Sequence, residues 1–319
     1  MPDLPSLLGQ GVKSARKQED VTMREMAKAY RDAYKVAESE LSKLAASIGN
    51  AENKLLEAQK YNRLANLMTQ ISKEYTKLTG QAVSETQSLS SNNYFNGFKR
   101  VEWAVNQELK TGASIAFGVV PIDAVRASVF SEQSGRNFII TMKDNSRDRI
   151  IRIRNEITRM LATGQSWERT AEALAAQFEK GYNDAVRVVR TETARNYTQG
   201  TLAGFERAED LGINMTHVWL ATLDSDTRPE HAELDGTEAD EDGLFWINGE
   251  SAVGPGLFAS PENSVNCRCS LVARIAGIKP QFRRENIDEK NVIPYQTWST
   301  WAEAQGWSAQ DGWPKAEEV

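Results

Sequence analysis

The side chains best suited to metal binding or nucleophilic chemistry are scarce in this sequence and lie close together. The chain has 319 residues, of which only two are histidine and two are cysteine. All four lie between His217 and Cys269. This count excludes a disulfide-dense secreted scaffold, a four-cysteine zinc ribbon and a multi-histidine metalloenzyme. After these exclusions, the sequence can contain at most one metal-binding or catalytic site that combines cysteine and histidine.

His231, Cys267 and Cys269 are the candidate ligands of such a site. Two thiolates and an imidazole are ligands that zinc accepts readily. Cys267 and Cys269 are two positions apart, so their side chains point to the same face of an extended segment. Zinc would stabilise a small module that has little hydrophobic core of its own. Three residues are candidates for a fourth ligand: Asp224, Asp226 and His217.

Two other interpretations of these residues stay open. In the first, the cysteines are small buried residues and His231 forms hydrogen bonds within a loop. In the second, His231 is a general base oriented by a nearby carboxylate, and Cys267 or Cys269 is the nucleophile of a hydrolase. A disulfide between the two cysteines is disfavoured because the ring between residues two positions apart is strained.

Other motifs point to enzyme classes only weakly. The sequence contains no P-loop, no dinucleotide-binding glycine pattern and no H-E-x-x-H. Arg190-Thr191-Glu192 is similar to the arginine and glutamate elements of ADP-ribosyltransferases, but the match covers three residues. The acidic run at 238–242 suits a divalent cation, although a solvated loop is the better interpretation. We therefore expect a non-enzymatic protein, with a cysteine/histidine-dependent hydrolase or an ADP-ribosyltransferase-like enzyme as the alternative.

Most of the chain before residue 212 has the composition and apolar spacing of helices. Residues 21–48 and 51–79 predict a long N-terminal helical hairpin, broken at Gly49-Asn50. The apolar stripe on its first helix either packs on the second helix or docks a partner. The polar run at 84–96 predicts a loop or a poor helix. Further helices are predicted at 98–109, 122–130, 141–161, 166–178 and 182–211.

The sequence beyond residue 212 changes character. Residues 215–223 alternate like a strand, and further strands are predicted near 245–247 and 270–275. We therefore predict a mainly α fold with a small C-terminal α+β module. The predicted divisions are a flexible segment (1–20), a helical arm (21–140), a helical domain (141–212), the α+β module (213–278) and a tryptophan-rich tail (279–319). Four of the eight tryptophans lie in the tail, which we expect to pack on the module or on a partner: Trp298, Trp301, Trp307 and Trp313.

Charge is distributed unevenly along the chain. The formal net charge is −6, and residues 201–260 contain 13 acidic residues against two basic ones. The strong basic surplus typical of proteins that coat nucleic acid is missing. Five arginines of the helix predicted at 141–161 form either a solvated face or a contact with phosphates: Arg147, Arg149, Arg152, Arg154 and Arg159.

Several rare residues recur in a fixed order from residue 190 onward. The elements are R-T-E-T at 190–193, a long motif from Trp219 to Gly236, N-C-R-C at 266–269 and Y-x-x-W at 295–298. This combination resembles the bacteriophage Mu F-type head morphogenesis family, which comprises minor capsid proteins associated with the portal. The resemblance covers about residues 140–305. Its landmark residues are Arg190, Glu192, Trp219, Asp226, Arg228, Gly236 and Asn266.

The resemblance implies a virion component in the capsid interior at the portal vertex, made in the host cytoplasm. Its implied partners are the portal protein, the capsid proteins and, through a possible contact, the packaged DNA. The implied roles are head assembly, DNA packaging or DNA delivery. The sequence contains no apolar run of membrane-spanning length and no signal peptide, so we expect no membrane segment.

Overall fold

The computed structural model describes residues 4–49, 51–59, 62–109, 114–132, 135–275, 282–285 and 291–306. The architecture is mainly α with a small C-terminal α+β module, as predicted. None of the helices in these ranges is both long and apolar enough to cross a membrane. Six helices come first: α1 (Leu4–Ile48), α2 (Lys54–Gln59), α3 (Arg63–Leu109), α4 (Ile122–Val129), α5 (Phe138–Ala162) and α6 (Trp167–Asp210).

The two long N-terminal helices differ in extent from the predicted hairpin. Helix α1 ends at Ile48 as predicted, but its backbone is helical from Leu4 onward. The flexibility predicted for residues 1–20 therefore stays a prediction. The second predicted helix, at 51–79, is replaced by the short α2 and by α3, which continues to Leu109.

Of the two alternatives predicted for 84–96, the loop is wrong and the helix is observed, because α3 runs through this stretch without a break. Small residues there let another helix come very close. A Cβ on Gly200 of α6 would lie 2.0 Å from the carbonyl oxygen of Tyr94, and one on Gly97 would lie 2.4 Å from that of Tyr197. Asn93 is buried and donates to the carbonyl of Thr193 at 3.4 Å. Packing of this kind outweighs the low helix propensity of serine, asparagine and glycine.

Helix α6 joins two segments that we predicted as separate helices. It passes through Gly181 without interruption. A Cβ at Gly181 would meet the hydroxyl oxygen of Tyr75 at 3.0 Å and the ring of Tyr30 at 3.2 Å. The glycine therefore makes room for aromatic side chains and does not end the helix. The helices predicted at 122–130 and 141–161 are confirmed as α4 and α5.

The chain divides into two compact units, and neither is contiguous in sequence. One contains the described residues of Glu19–Ser88 and Gly135–Val189, and the other those of Met1–Gln18, Leu89–Ser134 and Arg190–Val319. We call them the helical unit and the module unit. Helices α3 and α6 contribute residues to both, so the predicted domain limits stay predictions.

The helical unit is built around aromatic side chains. Tyr30 of α1 packs edge-on against Tyr75 of α3 and Tyr182 of α6, with ring centroids 6.5 and 5.8 Å apart. The apolar stripe of α1 is largely buried, which favours packing within the unit over docking of a partner. Arg149 pairs with Asp184 at 2.6 Å. The other four arginines of α5 are exposed, namely Arg147, Arg152, Arg154 and Arg159.

The C-terminal part of the module unit consists of strand pairs and short helices. Strand β1 (Met215–Leu220) pairs antiparallel with β4 (Ser270–Ile275), which places Trp219 opposite Leu271. The strands predicted near 245–247 and 270–275 are confirmed, whereas the one predicted at 215–223 ends at Leu220. The remaining elements are β2 (Phe245–Ile247), β3 (Glu250–Ala252), β5 (Phe282–Arg284), β6 (Val292–Pro294), α7 (Pro229–Glu233), α8 (Pro261–Ser264) and α9 (Trp298–Ala304).

The tail packs on the rest of the module unit through its first two tryptophans. Trp298 and Trp301 of α9 are buried and meet edge to face, with centroids 6.3 Å apart. The indole nitrogen of Trp301 donates to buried Glu285 at 3.1 Å. Burial of two indoles removes a large apolar area from water, which stabilises the docked tail. Trp307 and Trp313 lie outside the described residues.

Candidate functional site

Trp219 forms the centre around which the family landmarks assemble. Its side chain is fully buried and packs edge-on against His231 and Phe245 at centroid distances of 5.4 Å each. Its backbone N–H donates to Thr237, and its carbonyl accepts from Gly236. Strand β1 is therefore tied to the turn that follows α7, and the imidazole of His231 is fixed against the indole.

Asp235 is the polar hub of the module unit. Its carboxylate accepts hydrogen bonds from the backbone N–H of Ala221 at 2.7 Å and from that of Trp298 at 2.6 Å. It also pairs with the buried guanidinium of Arg283 at 2.5 Å. Arg283 in turn donates to the carbonyl oxygens of Ala221 and Gln296. A buried carboxylate needs such full pairing, and here the pairing joins β1, β5 and α9.

Asp224 and Asp226, the predicted carboxylate ligands, turn towards Arg268. Asp224 forms two short contacts with that guanidinium, at 2.7 and 2.8 Å, and Asp226 lies 3.4 Å from it. Asp224 also accepts from the hydroxyl of Thr227 at 3.1 Å. Bidentate arginine pairing orients a carboxylate strongly. The aspartates therefore fix the N-C-R-C segment through its arginine.

The R-T-E-T element forms a second buried polar network on α6. Glu192 accepts from Arg195 at 2.7 and 3.1 Å, and both side chains are buried. Burial raises the pKa of Glu192, and the charge of Arg195 opposes that shift. Arg195 also donates to Ser131 at 2.5 Å. Thr191 accepts from the backbone N–H of Asn266 at 3.1 Å, which connects this helix to N-C-R-C.

The structure brings His231, Cys267 and Cys269, the candidate metal ligands, together. Nδ1 of His231 lies 3.6 Å from Sγ of Cys267 and 3.5 Å from Sγ of Cys269. The three ligand atoms all lie within 4.8 Å of one another. His231 and Cys267 are buried, whereas Cys269 is half-buried. Nε2 of His231 is buried and finds no hydrogen-bond partner among the described residues.

The two thiols differ in their electrostatic surroundings. A hydrogen bond from Cys269, followed by the influence of His231, lowers the pKa of Cys267 well below its ordinary value. Burial and the neighbouring Cys267 raise the pKa of Cys269 well above its ordinary value.

None of the candidate fourth ligands belongs to this cluster. Within the described ranges, the group contains only His231, Cys267 and Cys269. His217 lies on β1 and packs against Phe205, with ring centroids 4.9 Å apart, and burial lowers its pKa.

Three important residues were missed at the level of sequence. Asp235 was included only as a member of the motif from Trp219 to Gly236, and Arg283 and Arg195 were not identified at all. Arg195 had a local signal, because Glu192 and Arg195 have the i, i+3 spacing of a helical ion pair. The partner of Asp235 lies 48 positions away and had no such signal.

Residues 151–272 match the family model for the Phage Mu protein F like protein. That range contains R-T-E-T, the motif from Trp219 to Gly236 and N-C-R-C. Over these residues the chain is similar to the Phage Mu protein F like family, which is the family that its motifs resemble.

Two curated proteins are similar to the chain over different extents. The Minor head protein GP7 of Bacillus phage SPP1 is 27% identical over 258 residues, which is 78% of this chain and 82% of that protein. The NAD(+)--arginine ADP-ribosyltransferase EFV of Enterococcus faecalis (strain ATCC 700802 / V583) is 38% identical over 149 residues, which is 47% of this chain. The match spans only 30% of that enzyme. No solved structure matches the chain.

Proposed function

We propose that this protein is a minor head protein of a phage, acting in head morphogenesis as a component of the virion. The observation that carries the proposal is the extent of the match to the SPP1 minor head protein, which covers 82% of that protein's length. The family model covers the same buried networks around Trp219 and Glu192. A role in assembly is consistent with a structural rather than a catalytic use of the rare histidine and cysteine residues.

We propose further that the protein binds the portal vertex from the capsid interior and contacts capsid proteins there. Support comes from the resemblance to portal-associated minor capsid proteins. Contact with packaged DNA has a candidate surface in Arg147, Arg152 and Arg154, because these α5 side chains are exposed. Arginines on an exposed helix face attract phosphates through charge and lose that attraction as salt rises.

The ADP-ribosyltransferase relative gives the enzyme alternative its one specific support. The match covers 30% of that enzyme, so the named activity can lie outside the shared part. In this chain Glu192 is buried and held by two hydrogen bonds from Arg195. A catalytic glutamate has to reach its substrate, and Glu192 would have to leave this pairing first.

The hydrolase alternative requires an accessible nucleophile and an oriented base. Cys267 is 4% exposed and His231 is 1% exposed. Asp224 and Asp226, the carboxylates close to His231 in sequence, both lie against Arg268. A triad needs its third member on the histidine, so the observed pairing favours a structural use of these residues.

The decisive experiment is co-purification with the portal protein of the same phage. The tagged full chain should retain the portal protein at moderate salt, and an equally tagged helical protein of similar charge should not. Particles assembled without the chain should show defective heads or packaging. A chain that stays monomeric beside the portal, together with normal particles in its absence, would contradict the proposal.

The DNA contact has its own test. Replacing Arg147, Arg152 and Arg154 together by glutamine should weaken binding to duplex DNA and flatten its salt dependence. The matched control is Arg159→Gln, since Arg159 lies on the same helix but pairs with Glu156 at 2.6 Å. Equal DNA binding by all the variants would remove this part of the proposal and leave the assembly role intact.

A further inference from the structure

We propose that His231, Cys267 and Cys269 form a zinc site that holds the module unit together. Zinc binds thiolate sulfur at about 2.3 Å and imidazole nitrogen at about 2.0–2.1 Å in a tetrahedron. Those bond lengths place each sulfur about 3.5–3.6 Å from the nitrogen. The observed distances from Nδ1 of His231 are 3.6 and 3.5 Å. Both nitrogen-to-sulfur distances therefore already match those of a tetrahedral site.

Hydrogen bonding alone explains this arrangement less well. A neutral imidazole has one acceptor nitrogen with a single lone pair. Two sulfurs lie almost equally far from Nδ1, yet only one thiol can donate along this lone pair, while the side chains of the two cysteines hydrogen-bond to each other. A cation between the three atoms binds all of them at once. The donor set of two sulfurs and one imidazole nitrogen favours zinc over magnesium or calcium.

The ligands are held in position by contacts that do not involve a metal. The ring of His231 packs on buried Trp219, and Pro229 begins the helical turn that carries it. The backbone N–H of Cys267 donates to the carbonyl of Ser264 at 3.2 Å. Cys269 directly precedes β4. A binding site whose ligands are fixed beforehand loses little conformational entropy when the metal arrives.

Arg268 explains how the two cysteines face the same ligand. In an extended segment the residue between them points the other way. Its guanidinium is held by Asp224 at 2.7 and 2.8 Å, and its carbonyl accepts from Thr222 at 2.5 Å. With Arg268 anchored on one side, Cys267 and Cys269 are both directed to His231.

Three protein ligands leave one position of the tetrahedron, which we assign to a water molecule. The carboxylates that could have filled it are held by Arg268, and His217 packs on Phe205. Half-buried Cys269 gives solvent access to that side. The zinc would join α7 to the segment before β4, which are 36 to 38 positions apart in sequence.

The first experiment measures metal in the purified full chain. Protein made in zinc-supplemented medium and kept reduced should contain about one zinc per chain by elemental analysis. His231→Gln, Cys267→Ser and Cys269→Ser should each lose most of that zinc. The matched control is His217→Gln, which removes the other histidine and should keep the wild-type content. A zinc-free wild-type chain, or zinc retained by all three ligand variants, would overturn the proposal.

A second experiment needs no variant and therefore does not depend on a variant's folding. Wild-type protein stripped by a chelator is titrated with cobalt(II). Tetrahedral coordination by thiolates should give a sulfur-to-cobalt charge-transfer band in the near ultraviolet and visible bands, and zinc should abolish both. Zinc, but not magnesium, should also raise the unfolding temperature of the stripped protein. Absence of these bands, or an oxidised chain with no titratable thiol, would contradict the site.

Discussion

Asp235→Ala should destabilise the module unit more than any other single truncation of a polar side chain there. It leaves the guanidinium of Arg283 buried without its carboxylate, and breaking a buried pair in this way costs about 3–5 kcal/mol. The N–H groups of Ala221 and Trp298 lose their acceptor, at about 1–3 kcal/mol each when buried. Since these losses overlap, we expect a total of about 5 kcal/mol.

The assay combines urea unfolding with hydrogen exchange at the amides of Ala221 and Trp298. Both amides should exchange much faster in the variant, because the same carboxylate protects them. The matched control is Glu238→Ala, which removes the partly exposed pair between Glu238 and Arg274 at 3.0 Å. A surface pair of this kind is worth about 1 kcal/mol or less.

A loss below about 1 kcal/mol in Asp235→Ala would refute the assignment of Asp235 as the hub. Equal losses of unfolding free energy in Asp235→Ala and Glu238→Ala would refute it as well, because the cost of breaking an ion pair would then not depend on its burial. Asp235→Asn provides a milder variant that keeps one oxygen acceptor. It should fall between the wild type and Asp235→Ala in both measurements.

Three further predictions follow from glycine packing, histidine burial and the tail. Gly200→Ala should destabilise the chain by about 1–3 kcal/mol or more in thermal unfolding, because its Cβ would lie 2.0 Å from a backbone oxygen. The matched control is Gly80→Ala on α3, which has open space around it and should stabilise the chain by about 0.5–1 kcal/mol. Burial lowers the pKa of His217 below its ordinary value of 6.5. The stability that depends on the neutral His217 is therefore present above pH 6.5 and is lost as the pH falls below it. His217→Gln should reduce this pH dependence of the unfolding free energy. Removing residues 296–319 deletes buried Trp298 and Trp301 and should lower solubility in a sedimentation assay, whereas unchanged solubility would contradict the packing of the tail.

Local sequence patterns correctly predicted those helices and strands whose formation depends on neighbouring residues in the chain. The helices α4 and α5 and the strand β2 followed from proline position, apolar spacing and short apolar runs. The stretch at 84–96 could not be predicted in this way, because its small polar residues and the adjacent Gly97 favour a helix only when another backbone lies against them. The same holds for Gly181, whose role depends on tyrosines distant in sequence.

The candidate site was also predictable only in part: its residue types could be identified from the sequence, but its long-range ion pairs could not. Rare residue types identified His231, Cys267 and Cys269 as one group, and the structure brings their ligand atoms together. Asp224 was predicted as a ligand from nearness in sequence to His231, yet the stronger attraction is that of Arg268. An ion pair between residues 44 positions apart leaves no periodic signal in the sequence.

The interleaving of the two units along the chain has a consequence for synthesis on the ribosome. Asn93 binds the carbonyl of Thr193, 100 positions later. At a translation rate of about 5–20 residues per second, about 5–20 s pass between the synthesis of Asn93 and that of Thr193. During this time the face of Leu89–Leu109 that contains Asn93 and Gly97 is available to other chains. Slow translation or a shortage of chaperones should therefore reduce the yield of this protein more than that of one whose units are consecutive.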